Sequence, residues 1–180
     1  MVDRVCDEFK RIFVMEEKCL GCRTCELKCA VERSSISKVL AEAVGEDILP
    51  RSRVYVEWDG NDTFAIQCRH CENAPCFEIC STGAMQRDTE TGCTFISVDK
   101  CIACWMCVMM CPFGAIAPAA EKGAADKCDQ CFQMVQPSCV AACPTGALEL
   151  MTVNEYMGQL KQKRRQGLHK LQRISEELIS

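Results

Sequence analysis

Residues 101–116 read CIACWMCVMMCPFGAI, so Cys101, Cys104, Cys107 and Cys111 follow one another as C-x2-C-x2-C-x3-C with Pro112 behind the last. The same spacing occurs at Cys19, Cys22, Cys25 and Cys29. Two variants lie elsewhere: Cys68-x2-Cys71-x4-Cys76-x3-Cys80 and Cys128-x2-Cys131-x7-Cys139-x3-Cys143. All four runs end in C-x3-C, and three continue alike, as CSTGAM from Cys80, CPFGAI from Cys111 and CPTGAL from Cys143. Three are introduced by an acidic residue and a lysine: Glu17-Lys18-Cys19, Asp99-Lys100-Cys101 and Asp126-Lys127-Cys128. Such self-similarity means one small unit used four times.

The spacing points to iron and sulfide. A cubane [4Fe–4S] cluster has four iron corners, each needing a thiolate. A C-x2-C-x2-C loop wraps three of them and can aim its backbone amides at the sulfides. The fourth cysteine sits a helical turn away and faces elsewhere, so it completes the other cluster of a pair, as in two-cluster bacterial ferredoxins. Zinc is the plainer alternative, but structural zinc takes two separated pairs and leaves a third close cysteine redundant. The only histidines, His70 and His169, have no partner at ligand spacing. Four runs therefore predict four [4Fe–4S] clusters on sixteen cysteines. The fold class that follows is α+β: tandem ferredoxin-like units with pseudo-twofold symmetry, small β-hairpins, short helices and a long C-terminal helix. Spacing alone leaves open which runs pair.

Composition agrees. Of 180 residues, 18 are cysteine, enough for a disulfide scaffold had the chain been secreted. The first residues are charged and contain no apolar h-region, so no secretory leader is expected, and no run approaches the length of a membrane span. A cytoplasmic setting keeps thiols reduced and turns them to metal or redox use. Aromatics make up only 6% of the chain, so an inorganic core would replace side-chain volume. Net charge is −4, but residues from Asn154 on carry six Lys/Arg against three Glu, leaving the preceding part at −7. An acidic body argues against nucleic-acid binding, so an iron–sulfur regulator acting through the basic tail is a remote reading.

Each C-x3-C stretch should be a short helix, stopped by Pro112 and Pro144 or turned by Gly83, Gly114 and Gly146. Arg53–Trp58 and Thr63–Gln67 flank Asp59-Gly60-Asn61-Asp62 as a hairpin, and Met85–Arg87 and Cys93–Val98 flank Asp88–Gly92 likewise. Ser35–Val44 reads as a surface helix. Thr152-Val-Asn-Glu155 fits a capping box opening a helix to the C-terminus. In it Met157, Leu160, Leu168, Leu171, Leu178 and Ile179 fall to one side, with Lys163, Arg165, Lys170 and Arg173 mostly opposite. Arg164 and Gly167 interrupt that stripe, where a bend or break is expected.

The stretches RIFVMEEKCLGCRTCELKCAVE (11–32), RVYVEW (53–58), QCRHCENAPC (67–76) and CIACWMCVMMCPFGAI (101–116) resemble the four-cluster electron-transfer subunits of the dimethyl sulfoxide reductase B-subunit family. They are most similar to its compact members that accompany carbon monoxide dehydrogenase, formate dehydrogenase and hydrogenase, or tungsten aldehyde oxidoreductases. The match covers about residues 11–152. The resemblance implies nested pairing, the first run with the fourth and the second with the third. Cluster one would then use Cys19, Cys22, Cys25 and Cys143, and cluster two Cys128, Cys131, Cys139 and Cys29. Cluster three would use Cys68, Cys71, Cys76 and Cys111, and cluster four Cys101, Cys104, Cys107 and Cys80. An outer unit would span about 11–50 plus 120–152, an inner unit about 62–119, and 153–180 would form an arm. Ser81 departs from the family's usual proline, which bears on the local turn and on hydrogen bonds to the cluster.

Cys6 and Cys93 stand outside every run; Cys93 reads as a small half-buried hydrophobe. Trp105 reads first as packing and second as a cluster shield or electron exit. For Lys18, Lys100 and Lys127, a solvated cation and a charge that raises cluster potentials weigh equally. No two glycines are spaced G-x-G, so no flavin or nucleotide fingerprint is present. The function expected is a non-catalytic electron-transfer subunit. Its partners would be a large catalytic oxidoreductase subunit and a second redox protein, with self-association through the C-terminal helix also open. The alternative is a free polyferredoxin that shuttles electrons by collision.

Overall fold

A computed structural model describes the backbone of residues 9–179 and the side chains of residues 9–169. Two compact units result: Ile12–Leu150, and the segments flanking it, up to Arg11 and from Met151 onward.

The larger unit is organised by two-stranded sheets. β2 (Val54–Trp58) and β3 (Thr63–Gln67) pair antiparallel, with Val54 opposite Gln67 and Trp58 opposite Thr63. Their connection is closed by Asp59, whose Oδ1 accepts the Asn61 and Asp62 N–H groups at 2.9 Å each. β4 (Met85–Arg87) and β5 (Thr94–Ile96) form the second expected hairpin, where the Asp88 carboxylate accepts the Thr91 N–H at 2.7 Å and its hydroxyl at 2.6 Å. In both, a short acidic side chain satisfies turn amides that the ladder leaves over. A third hairpin, β6 (Ile116–Ala119) with β7 (Ala124–Lys127), was not legible in the sequence pattern. β1 (Arg11–Val14) pairs with β8 (Leu148–Met151), and beyond them the Met15 N–H donates to the Ala147 carbonyl at 2.7 Å.

A short helix holds the first cysteine of each C-x3-C pair. α1 (Thr24–Glu32) holds Cys25 and Cys29, α3 (Pro75–Glu78) holds Cys76, α4 (Met106–Met110) holds Cys107, and α5 (Ser138–Ala141) holds Cys139. Only α1 reaches the second cysteine of its pair; Cys80, Cys111 and Cys143 lie just past their helices. After the last cysteine of three runs the chain turns identically. Gly83, Gly114 and Gly146 donate their N–H to the carbonyls of Cys80, Cys111 and Cys143 at 3.2, 3.3 and 3.3 Å. Each of these glycines has φ near +60°, a conformation that costs an L-residue about 1–2 kcal/mol. Ser81 leaves this turn the same as Pro112 and Pro144 do.

α1 packs against α5, and α3 against α4. Two apolar cores follow. One gathers Ile12, Val54, Val56 and Leu148 around Cys25, Cys29 and Cys139; the other gathers Met85, Ile116 and Ala125 around Cys76. The helix expected over Ser35–Val44 shrinks to α2 (Leu40–Ala43). Its first half is captured by side chains: the Ser34 hydroxyl accepts the Ser37 N–H at 3.0 Å, Ser37 accepts the Val39 N–H at 3.2 Å, and Glu46 accepts the Ser35 N–H at 3.0 Å. Serines compete in this way with the helical ladder.

The smaller unit contains α6 (Val153–Ile179). Its capping box is formed: the Glu155 carboxylate accepts the Thr152 N–H at 2.7 Å and hydroxyl at 3.0 Å, while the Thr152 hydroxyl accepts the Glu155 N–H at 3.2 Å. The helix runs through Arg164 and Gly167 without the expected break. Residues 161–169 are exposed, Leu168 among them at 62%. Cys6, and the side chains of Lys170, Leu171, Arg173, Leu178 and Ile179, lie outside the described residues. No described helix is long and apolar enough to cross a membrane.

Candidate metal centres

Each C-x2-C segment bends its backbone against the usual handedness. The non-glycine residues with positive φ among those described are Arg23, His70, Ala103, Trp105, Gln130 and Cys131, and all six lie within or beside such a segment. Gly21 shares that conformation at φ +64°. Left-handed residues at these places turn successive N–H groups toward one side, a concavity that receives anionic groups such as iron–sulfur clusters. Strain gathered at these segments marks them as the functional part of the chain.

Four sets of thiols come together. Cys19, Cys22, Cys25 and Cys143 line one apolar cavity. Cys68, Cys71, Cys76 and Cys111 line a second, and Cys80, Cys101, Cys104 and Cys107 a third. The three are alike in size. The remaining thiols of the first and fourth runs lie close enough to interact: Cys139 is in the electrostatic reach of Cys29, Cys131 and Cys25, and Cys128 in that of Cys139, Cys29 and Cys68. Each of the three cavities joins three cysteines of one run to the last cysteine of another. Among the described residues no three Cys, His, Asp or Glu converge as they would on a single metal ion.

Amides aim at the sulfurs. Backbone N–H groups of Arg53, His70, Met85, Gln130 and Ala147 donate to the Sγ atoms of Cys29, Cys68, Cys80, Cys128 and Cys143, at 3.2–3.4 Å. Hydroxyls of Thr82 and Thr145 stand 3.7 and 3.8 Å from Cys80 and Cys143, so the two CxTGA segments present matching donors. The serine at position 81 therefore leaves these hydrogen bonds intact. At both Cys80 and Cys143 burial opposes ionisation, but the donors prevail and the thiols sit below their usual range. Deeper in, burial wins. It pushes Cys25 and Cys76 up to about 11 and Cys139 up to about 12. Thiols so placed become thiolates when a metal takes the place of the proton. Buried sulfurs around apolar cavities, with N–H donors aimed at them, fit [4Fe–4S] clusters.

Residues 60–153 match the model of the 4Fe-4S dicluster domain family. The chain is 37% identical to the electron transport protein HydN of Escherichia coli, over 82% of this chain and 91% of that protein. It is 34% identical to an iron–sulfur protein of Rhodospirillum rubrum, covering 90% and 92% of the two. With the B subunit of the anaerobic dimethyl sulfoxide reductase of Escherichia coli it shares 34% identity over 79% of this chain and 73% of that subunit. The chain belongs to the dimethyl sulfoxide reductase B-subunit family. Like these relatives, which are named as electron-transport or iron–sulfur proteins, this family member transfers electrons and is not itself the catalytic enzyme.

Two features of this family member escaped the sequence reading. The first is a network of ions beside Cys29, Cys128 and Cys131. Arg33 grips Asp129 with both Nη atoms at 2.8 and 2.5 Å, Arg53 reaches Asp129 at 3.0 Å, and Arg53 also pairs with Asp126 at 2.5 Å. Burial alone would raise the Asp129 carboxyl, but the Arg33 hydrogen bonds and the two guanidinium charges hold it well below the carboxylate range. The second is Lys127, buried at 3% exposure, whereas Lys18 is exposed and pairs with Glu149 at 2.7 Å and Lys100 is exposed. Cys93 is fully buried rather than half-buried. Trp105 lines the cavity of Cys80, Cys101, Cys104 and Cys107 and packs on the second core, the first of its two expected roles.

Proposed function

We propose that this chain relays electrons through four [4Fe–4S] clusters between a catalytic oxidoreductase subunit and a downstream acceptor protein. What supports the reading is that three apolar cavities each take three thiols from one run and the fourth from a distant run. Cys19, Cys22, Cys25 and Cys143 would hold the first cluster, and Cys29, Cys128, Cys131 and Cys139 the second. Cys68, Cys71, Cys76 and Cys111 would hold the third, and Cys80, Cys101, Cys104 and Cys107 the fourth. A bound cluster supplies one-electron oxidation and reduction; the protein supplies spacing, dryness and hydrogen bonds to sulfur. Val14, Val56, Ala65 and Leu148 keep water from the first set, and Ala74, Pro75 and Ile116 do so at the third.

In this reading α1 and α5 build an outer ferredoxin-like unit from about 11–50 plus 120–152, and α3 and α4 build an inner one from about 62–119. The partner is a carbon monoxide dehydrogenase or a tungsten or molybdenum aldehyde or formate enzyme, in the reducing cytoplasm where thiols stay available for iron. The exposed segment of α6 serves attachment. Deletion from Asn154 onward should leave four clusters in place but weaken co-purification of the large subunit or shrink the assembly on a sizing column; a truncated chain that loses clusters yet keeps its partner would refute the attachment role. The relay itself is tested by iron analysis of anaerobically prepared protein. Four ligands per cluster predict about sixteen irons per chain. A value near eight would overturn the four-cluster reading.

A further inference from the structure

Among the described residues, Lys127 is the one buried Lys, Arg, Asp or Glu. An ammonium has three donors and no acceptor. All three are spent on neutral oxygens: the Thr94 carbonyl, the Thr94 hydroxyl at 2.9 Å and the Cys128 carbonyl at 2.9 Å. The acids nearest in sequence are engaged elsewhere, Asp126 with Arg53 and Asp129 with Arg33 and Arg53. A buried charge is ordinarily paired or next to a metal centre. Among the described residues no carboxylate accepts a hydrogen bond from this ammonium.

Its surroundings supply the reason. Lys127 ends β7 and is followed directly by Cys128, so it abuts the set of Cys29, Cys128, Cys131 and Cys139. Thr94, which accepts two of its hydrogen bonds, donates its own N–H to His70 Nδ1 at 3.1 Å. The His70 backbone N–H in turn donates to Cys68 Sγ at 3.4 Å, in the set of Cys68, Cys71, Cys76 and Cys111. Thr94 also lines the cavity of that set. The lysine charge lies within electrostatic reach of Cys71 and Cys76. Cys128 and Cys68 lie within electrostatic reach of each other. The ammonium thus stands between the set of Cys29, Cys128, Cys131 and Cys139 and that of Cys68, Cys71, Cys76 and Cys111, in a dry interior where charges are screened little.

We infer that Lys127 is a fixed internal counter-charge shared by the two central clusters, raising their potentials relative to the outer pair and keeping an electron's passage between them from becoming an uphill step. The inference rests on the four-cluster reading. An oxidised cluster with four thiolates carries two negative charges, and each reduction adds one electron with no bond made or broken. A nearby positive charge favours the reduced form. Lys18, exposed and paired with Glu149, and Lys100, exposed, stand in the corresponding places before Cys19 and Cys101 but are open to water, which screens them.

The test is a redox titration followed by electron paramagnetic resonance on the holoprotein, comparing Lys127→Met, Lys127→Gln and Lys127→Arg. Both neutral variants should lower the reduction equilibrium constant of two clusters about tenfold, which is about 59 mV for a one-electron couple. The other two clusters should hold their potentials, and Lys127→Arg should restore the native values. Lys100→Met is the surface control and should move no potential. About sixteen irons in a Lys127 variant with all four potentials unchanged would overturn the lysine's role while sparing the four-cluster reading. About eight irons in the native chain would overturn that reading instead. If the neutral variants do not assemble, Thr94→Val, which withdraws one hydrogen bond and frees the ammonium to move, should shift the same two potentials in the same direction; no shift there would equally overturn the inference.

Discussion

Cys29→Ser is expected to destroy a cluster other than the one its own run begins. Cys25 and Cys29 lie one turn apart on one face of α1, so their sulfurs are offset by about 6 Å along the helix and reach different sets. Cys25 lines the cavity of Cys19, Cys22 and Cys143, whereas Cys29 bears on Cys128, Cys131 and Cys139. The substitution should therefore damage the cluster of the fourth run, with the loss of about four irons, and leave the signal of the first set intact. Cys143→Ser should do the converse. Anaerobic preparation, iron analysis and low-temperature paramagnetic spectra of the two variants decide the matter. If both lose the same cluster, the crossed assignment is wrong.

The four runs could be read directly because ligand spacing is a covalent, short-range property. So could the β2–β3 hairpin, announced by Asp59-Gly60-Asn61-Asp62. The β6–β7 hairpin gave little warning: Ala117, Ala119, Ala124 and Ala125 do not alternate with polar residues, and only Gly123, at φ +60°, marks the turn. The pairing of β1 with β8 joins residues more than a hundred positions apart, a long-range contact with no local signature. Ser35–Val44 reads as helix by pattern, yet its serines bond to nearby amides more readily than they propagate a ladder. Left-handed Ala103, Trp105 and Gln130 were equally hidden, since propensity disfavours them and only the metal-binding loop requires them. The three lysines before Cys19, Cys101 and Cys128 look alike in sequence. Tertiary burial alone separates Lys127 from the other two.

The same distinction between local pattern and tertiary packing sets the second large effect, at Asp129. Its carboxylate receives three guanidinium hydrogen bonds, from Arg33 at 2.8 and 2.5 Å and from Arg53 at 3.0 Å, together with the Cys131 N–H at 2.9 Å. Those partners come from the C-cap of α1, from the residue before β2 and from the fourth cysteine run, so one side chain ties α1, which carries Cys29, to the run that carries Cys128 and Cys131. Asp129→Asn keeps the shape but leaves two half-buried guanidiniums facing each other around a neutral amide. Removing one partner of a buried pair costs about 3–5 kcal/mol, and the lower end applies because Arg33 and Asp129 side chains remain 19% and 20% exposed. A loss of about 3 kcal/mol lowers the apparent Tm of a chain this size by roughly 6–12 °C. Arg51→Ala, which breaks the exposed contact with Glu121 at 3.6 Å and an exposed hydrogen bond to the Pro118 carbonyl at 3.0 Å, should cost about 1 kcal/mol. Anaerobic thermal melts followed by the visible absorbance of the clusters compare the two, and the cluster on Cys29, Cys128, Cys131 and Cys139 should bleach first in Asp129→Asn. Equal melting of the two variants would show that the ion network does not brace that site, and that backbone packing of α1 on α5 holds the fourth run alone.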